Sequence, residues 1–220
     1  MKKFLALLPL LGFILMGCEE DEPTVTDNTT PPVEVTSGSA DFSTYVALGN
    51  SLTAGFSDNA LFLEGQAASF PNMLATQFAM AGGGNFEQPL MADNLGGMTL
   101  GGNPIVGNRL ILDFATGDPA PVKVEGQGAT EVTEKLNGSF NNMGVPGAKS
   151  YHLLAPGYGS VAGVATGTAN PYFARFSSSE TTTVLEDALA QNPTFFSLWI
   201  GNNDVLGYVT SGGAGVDQTG

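Results

Sequence analysis

Tyr45-Val46-Ala47-Leu48-Gly49-Asn50-Ser51-Leu52-Thr53-Ala54-Gly55 is the stretch on which the fold turns. It opens as a short apolar run of strand type, breaks at a glycine and delivers a serine into the following turn. Ligands of open α/β sheets bind in the crevice outside the carboxyl ends of the strands, so a serine there is placed for chemistry. Two later stretches repeat the layout. Ser139-Phe140-Asn141-Asn142 runs into Met143-Gly144-Val145-Pro146-Gly147, and Thr194-Phe195-Phe196-Ser197-Leu198-Trp199-Ile200 runs into Gly201-Asn202-Asn203-Asp204. As parallel neighbours, the three strands would bring Ser51, Gly147 and Asn203 to one edge of a sheet.

Between these runs lie helical patterns. Phe70 to Ala81 carries Met73, Leu74, Gln77, Phe78 and Ala81 at helical spacing, with Ser69 placed to cap and Pro71 early in the helix. A short helix is expected over Ala148 to Leu154. A longer one is expected from Glu180 to Gln191, with Val184, Leu185, Ala188 and Leu189 on one face and Asn192-Pro193 as its stop. Strands alternating with helices indicate an α/β fold with a parallel sheet. The third strand is continuously apolar, which predicts burial on both faces.

With those residues in place, the three turns resemble the first three blocks of the SGNH, or GDSL, hydrolases. Gly49-Asn50-Ser51-Leu52 is similar to the Gly-Asp-Ser-Leu block, with Asn50 where the family has aspartate. Asn142 to Gly147 resembles the second block and Gly201 to Asp204 the third, Gly-x-Asn-Asp. The resemblance spans Tyr45 to Asp204 and rests on three short blocks in order. It implies a flavodoxin-like parallel sheet sandwiched by helices and a serine esterase or lipase. Ser51 would be the nucleophile, and the Ser51 and Gly147 N–H groups and the Asn203 amide the oxyanion donors. Asn50, Asn142 and Asp204 would be supporting residues, with Asp204 holding the turn and orienting Asn203. The family's fourth block, Asp-x-x-His, is absent. His152 is the only histidine. Lys149 stands three residues before it where the family has aspartate, so His152 reads as a packed or pocket-wall residue before it reads as a base. The catalytic Asp-x-x-His is expected beyond Gly220, and the sheet is expected to need more strands than three.

The remaining segments set the context. Met1-Lys2-Lys3, an apolar run from Phe4 and Leu15-Met16-Gly17-Cys18 resemble a bacterial lipoprotein signal, with residues 1–17 removed and Cys18 acylated. The apolar run is short of the about 20 residues a membrane span needs. Cys18 is the sole cysteine, which excludes an internal disulfide. Residues 18–40 read as a tether too poor in apolar residues to fold. Its acidic Glu19-Glu20-Asp21-Glu22 is either a surface-export signal, as in some Gram-negative bacteria, or the solvated start of a linker. The hydrolase domain is read as 41–220. Residues 82–138, with a hairpin of Arg109–Phe114 and Pro121–Glu125, are read as an insertion that either shapes the substrate pocket or makes a surface excursion.

A formal net charge of −14 speaks against nucleic acid as a partner and disfavours strongly anionic substrates, or the acidity serves only to keep an exported protein soluble. No cofactor is implied, and one histidine with scattered carboxylates makes no metal site. The expectation is an outer-membrane, lipid-anchored enzyme acting on a lipid, short-chain or acetylated-sugar ester. The alternative is a non-catalytic surface lipoprotein, a glycan-binding or adhesion module presenting Tyr158, Tyr172 and Phe173.

Overall fold

A computed structural model describes residues 34–115 and 117–215. Cys18, the signal-type leader and most of the tether lie outside them. The first aromatic to join the core is Phe42, whose ring stacks on Phe78 at 4.1 Å.

The chain begins with β1 (Tyr45–Gly49), α1 (Ser51–Ala54), α2 (Leu63–Ala67) and α3 (Phe70–Met80). The insertion supplies β2 (Met98–Leu100), β3 (Asn103–Val106), β4 (Leu110–Asp113), β5 (Ala120–Lys123) and β6 (Thr130–Glu131). Then come β7 (Asn142–Gly144), a 3-10 turn (Ser150–Leu154), α4 (Val161–Val164), α5 (Pro171–Ala174), α6 (Val184–Leu189), β8 (Phe195–Trp199) and α7 (Asn202–Thr210). The architecture is mixed α/β. Its central sheet is parallel, with β1 between β7 and β8. Gly49 faces Gly144 on one side and Trp199 on the other, so the three strands end level.

Every residue of β1 is buried, because it is the middle strand and side chains pack on both of its faces. Val46 and Leu48 pack with Met143, Phe173 and the α6 residues Val184 and Ala188. Tyr45 and Ala47 point the other way, onto Ala75 of α3, with Phe78, Phe86 and Phe195 around them. The alternation is the period of two that a strand imposes on its side chains. A third cluster joins Ala54 of α1, Met98 and Val132 of the insertion, and Tyr172 and Ala174 of α5.

Several sequence expectations shift. The second strand lies at Asn142–Gly144, not at Ser139–Asn142, so its glycine-bearing end is itself part of the ladder. The helix expected over Glu180 to Gln191 is confined to Val184–Leu189. Thr183 caps it, accepting from Glu186 N at 3.1 Å, while the Glu186 carboxylate accepts from Thr183 N at 2.8 Å. Leu189 at its end is exposed. On α3 the buried positions are Pro71 and Ala75, while Met73 and Leu74 face solvent. Ser69 makes no cap bond; its hydroxyl donates to Gln88.

β8 is the largest departure. Its outer edge pairs with no strand among the described residues, and Phe196 and Leu198 are 62% and 55% exposed. An apolar run predicts burial on both faces only when neighbours exist on both edges. α7 continues this open region, with Val205, Leu206, Tyr208 and Val209 all exposed.

The insertion is more regular than its glycines suggest. β2 and β3 form an antiparallel hairpin through Gly101-Gly102, both at positive φ, and β6 adds to β2 in parallel. β4 and β5 form the expected second hairpin. The Glu131 carboxylate accepts from Gly101 N, Gly102 N, Thr99, Thr133 N and the Thr133 hydroxyl, which draws its pKa down to about 2. Among the described residues no helix is long and apolar enough to cross a membrane.

Candidate functional site

Ser51 is the first residue of α1, directly past the carboxyl end of β1. Asn50 makes the turn. It is wholly buried, caps α1 by accepting from Leu52 N at 3.2 Å, and donates from Nδ2 to Asn202 Oδ1. One side chain therefore ties the serine turn to the turn after β8. An aspartate could make the cap but not the donation, so Asn50 is suited to Asn202 as its neighbour.

The second turn is joined to the first by Val145 N, which donates to Gly49 O at 3.0 Å. Asn142 locks β7 beneath α1: its amide donates to Thr53 O and Gln88 Oε1, and its oxygen accepts from Gly144 N, each at 3.0 Å. Gly147 then turns the chain at φ +82°, a conformation that costs an L-residue about 1–2 kcal/mol. It is exposed, and its N–H meets no acceptor among the described residues.

The third turn closes on the second. Asn203 Nδ2 donates to Ala148 O at 2.8 Å, leaving its second N–H for another acceptor. Asp204 is buried. Its carboxylate makes no hydrogen bond to Asn203 among the described residues. It accepts from the Ser150 N–H, at 3.1 and 3.0 Å, and from the Ser150 hydroxyl. Burial alone would raise the Asp204 pKa; the Ser150 bonds and the nearby Lys149 outweigh it and leave it lowered. Thus the turns carrying Ser51, Gly147 and Asn203 are linked pairwise by hydrogen bonds at one edge of one sheet.

His152 is near but otherwise engaged. Its Nδ1 accepts from Lys149 N at 3.0 Å, and its ring stacks on Tyr158 at 4.4 Å. Burial lowers its pKa, Lys149 lowers it further and Asp204 partly offsets both. A neutral imidazole accepting at Nδ1 carries its proton on Nε2, which leaves it no free lone pair with which to take a proton from serine. Ser51 Oγ has no hydrogen-bond partner among the described residues, His152 included.

Beside Gly147, Asn170 donates to Pro146 O at 2.9 Å and to the Tyr158 hydroxyl at 3.0 Å, while its oxygen caps α5. With His152, Tyr158 and Thr168 it lines a cleft of about 300 Å³. The sequence alone assigns no role to Asn170, Asn202 or Ser150. Only Asn170 carried a signal, as an Asn-Pro helix start. Tyr158, Tyr172 and Phe173 are buried, which removes them as the presented aromatics of a binding module. Among the described residues no three of His, Cys, Asp and Glu group as metal ligands.

Comparison with known proteins adds no relative: no family model, no curated protein and no solved structure matches this chain.

Proposed function

We propose that this chain is an SGNH-type serine hydrolase, anchored to the cell envelope through Cys18 and cleaving a carboxylic ester through an acyl-enzyme. One observation carries the reading. The three turns that resemble the family's blocks are hydrogen-bonded to one another at the level carboxyl ends of three adjacent parallel strands. Short glycine-, serine- and asparagine-rich strings occur in many turns, but chance matches would not be expected to meet in space.

In this mechanism Ser51 Oγ attacks the ester carbonyl carbon and loses its proton to a base. The carbonyl oxygen becomes an oxyanion, facing the Ser51 and Gly147 N–H groups and the Asn203 amide. Collapse breaks the ester C–O bond, and the base returns the proton to the departing alcohol. Water then cleaves the acyl-serine, releasing the acid and restoring Ser51. The donor set stabilises charge that exists only near the transition state, and each donor is worth about 10²–10³ in turnover. His152, with Nδ1 occupied and held neutral, is not assigned as the base.

The test is covalent. A fluorophosphonate probe applied to the protein expressed from its own gene should label one residue, and peptide mass spectrometry should find it at Ser51. Ser51→Ala should remove both the label and p-nitrophenyl acetate hydrolysis. No label, or a label at another residue, overturns the reading.

A further inference from the structure

Arg175 is a buried cation without a counter-ion. It lies at the end of α5 and is 4% exposed. A guanidinium has five N–H groups. Nη2 donates to Leu90 O at 2.6 Å and Nη1 to the Met91 sulfur at 3.4 Å, a weak acceptor, while the buried Nε has no partner among the described residues. No carboxylate of the described residues lies within 4.0 Å of it. Burial lowers its pKa only to about 10, so the charge persists at neutral pH. Removing a cation from water costs several kcal/mol unless another charge or a full set of acceptors offsets it.

Arg175 also lines a cleft of about 400 Å³ between residues 90–92 and 129–136, and its Nη1 and Nη2 bond to Met91 and Leu90 of that lining. Leu90, Met91 and Leu136 make its walls apolar. Lys135 lines it too, already hydrogen-bonded to Ser177 at 3.1 Å and 3.9 Å from Glu180. Two carboxylates share the lining. Glu131 is committed to its five donors, and Glu134 is not within ion-pair distance of Arg175. The ligand this lining suits carries a single negative charge, since each further charge adds repulsion from Glu131 and Glu134. It also has an aliphatic part to cover the apolar walls. The cleft falls within the usual size range of small-molecule sites.

We propose that this cleft binds a short aliphatic monocarboxylate, whose oxygens accept from Arg175 while its chain lies against Leu90, Met91 and Leu136. Carboxylate and guanidinium match in geometry and in charge. The site lies outside the three-turn cluster around Ser51, and the proposal does not depend on ester hydrolysis.

Calorimetry with butyrate, uncharged butyramide and inorganic phosphate tests it on the unmodified chain. Butyrate should bind one to one and butyramide should not, with phosphate weaker than butyrate. Arg175→Gln should weaken butyrate at least about tenfold, the scale of a lost charge-assisted hydrogen bond. Because that variant removes a buried residue, Ala129→Phe serves beside it. Ala129 is an exposed rim residue, and the larger ring should block the cleft without touching Arg175. Equal response to butyrate and butyramide, no butyrate binding, tighter phosphate binding, or butyrate binding retained in either folded variant would each overturn the proposal.

Discussion

Asn50 donates its side-chain amide to Asn202 across 152 positions of the sequence. The bond links the serine turn directly to the asparagine turn. Asn50→Ala removes the α1 cap as well and leaves the Asn202 oxygen without its partner. It should cost about 1–3 kcal/mol. Asn50→Asp keeps the cap, and Asn202 can rotate its amide to donate instead, so the loss should be smaller. Urea denaturation of both variants measures the difference.

Asp204 should make stability depend on acid. Its folded pKa is lowered below the ordinary 3.8, so its contribution is complete above that value and is lost as pH falls through the folded pKa. Asp204→Asn should lower stability near neutrality and flatten this acid limb, while Ser150→Ala should shift the limb toward higher pH. Thermal unfolding followed from pH 7 downward reads both. An Asp204→Asn curve parallel to the parent would remove the Ser150 contact as its cause.

Gly147 and Asn203 should fail in different ways. A Cβ on Gly147 has room, its nearest neighbour being Asn170 Nδ2 at 4.0 Å, but φ +82° strains it. Gly147→Ala should therefore cost about 1–2 kcal/mol of stability and, since it keeps its N–H, lose less activity than Asn203→Ala. On the proposed hydrolase mechanism the latter removes an oxyanion donor and should lose about 10²–10³ in kcat. Paired denaturation and kinetic measurements separate the two. Equal activity losses would mean that Asn203 serves only to hold Ala148.

The open side of β8 should govern association. Phe196 and Leu198 lie on one face of an edge strand that carries no charge to discourage pairing with another chain. Phe196→Lys with Leu198→Lys should lower self-association in sedimentation while changing stability little, since both side chains are already more than half exposed. Unchanged association would locate the contact elsewhere, with the exposed α7 residues Val205 and Val209 next to be altered.

The parallel sheet was legible because Tyr45–Leu48 and Phe195–Ile200 are apolar runs ending in glycine turns, and that signal is local. The exposure of Phe196 was not legible, because burial depends on which strands stand beside it. β6 is only two residues long, too short for any periodicity, and the β2–β3 hairpin was hidden among glycines until Gly101-Gly102 is read as its turn. The three site turns could be listed from sequence, whereas their stitching by Asn50, Asn202, Ser150 and Asp204 could not. Those side chains bond across long separations, and residue type alone does not say to whom. Arg175 illustrates the same limit: nothing in Phe173-Ala174-Arg175-Phe176 announces a buried charge.

The strand order also sets a timetable. β1 occupies the middle of the sheet yet is made first, and both of its partners come from much later in the chain. The insertion hairpins β2–β3 and β4–β5 pair locally and can close as soon as they emerge. β1 has to wait for β8 before its second edge is satisfied. Such distant pairings slow folding, so the cluster around Ser51, which draws on all three strands, cannot be complete until β8 is in place.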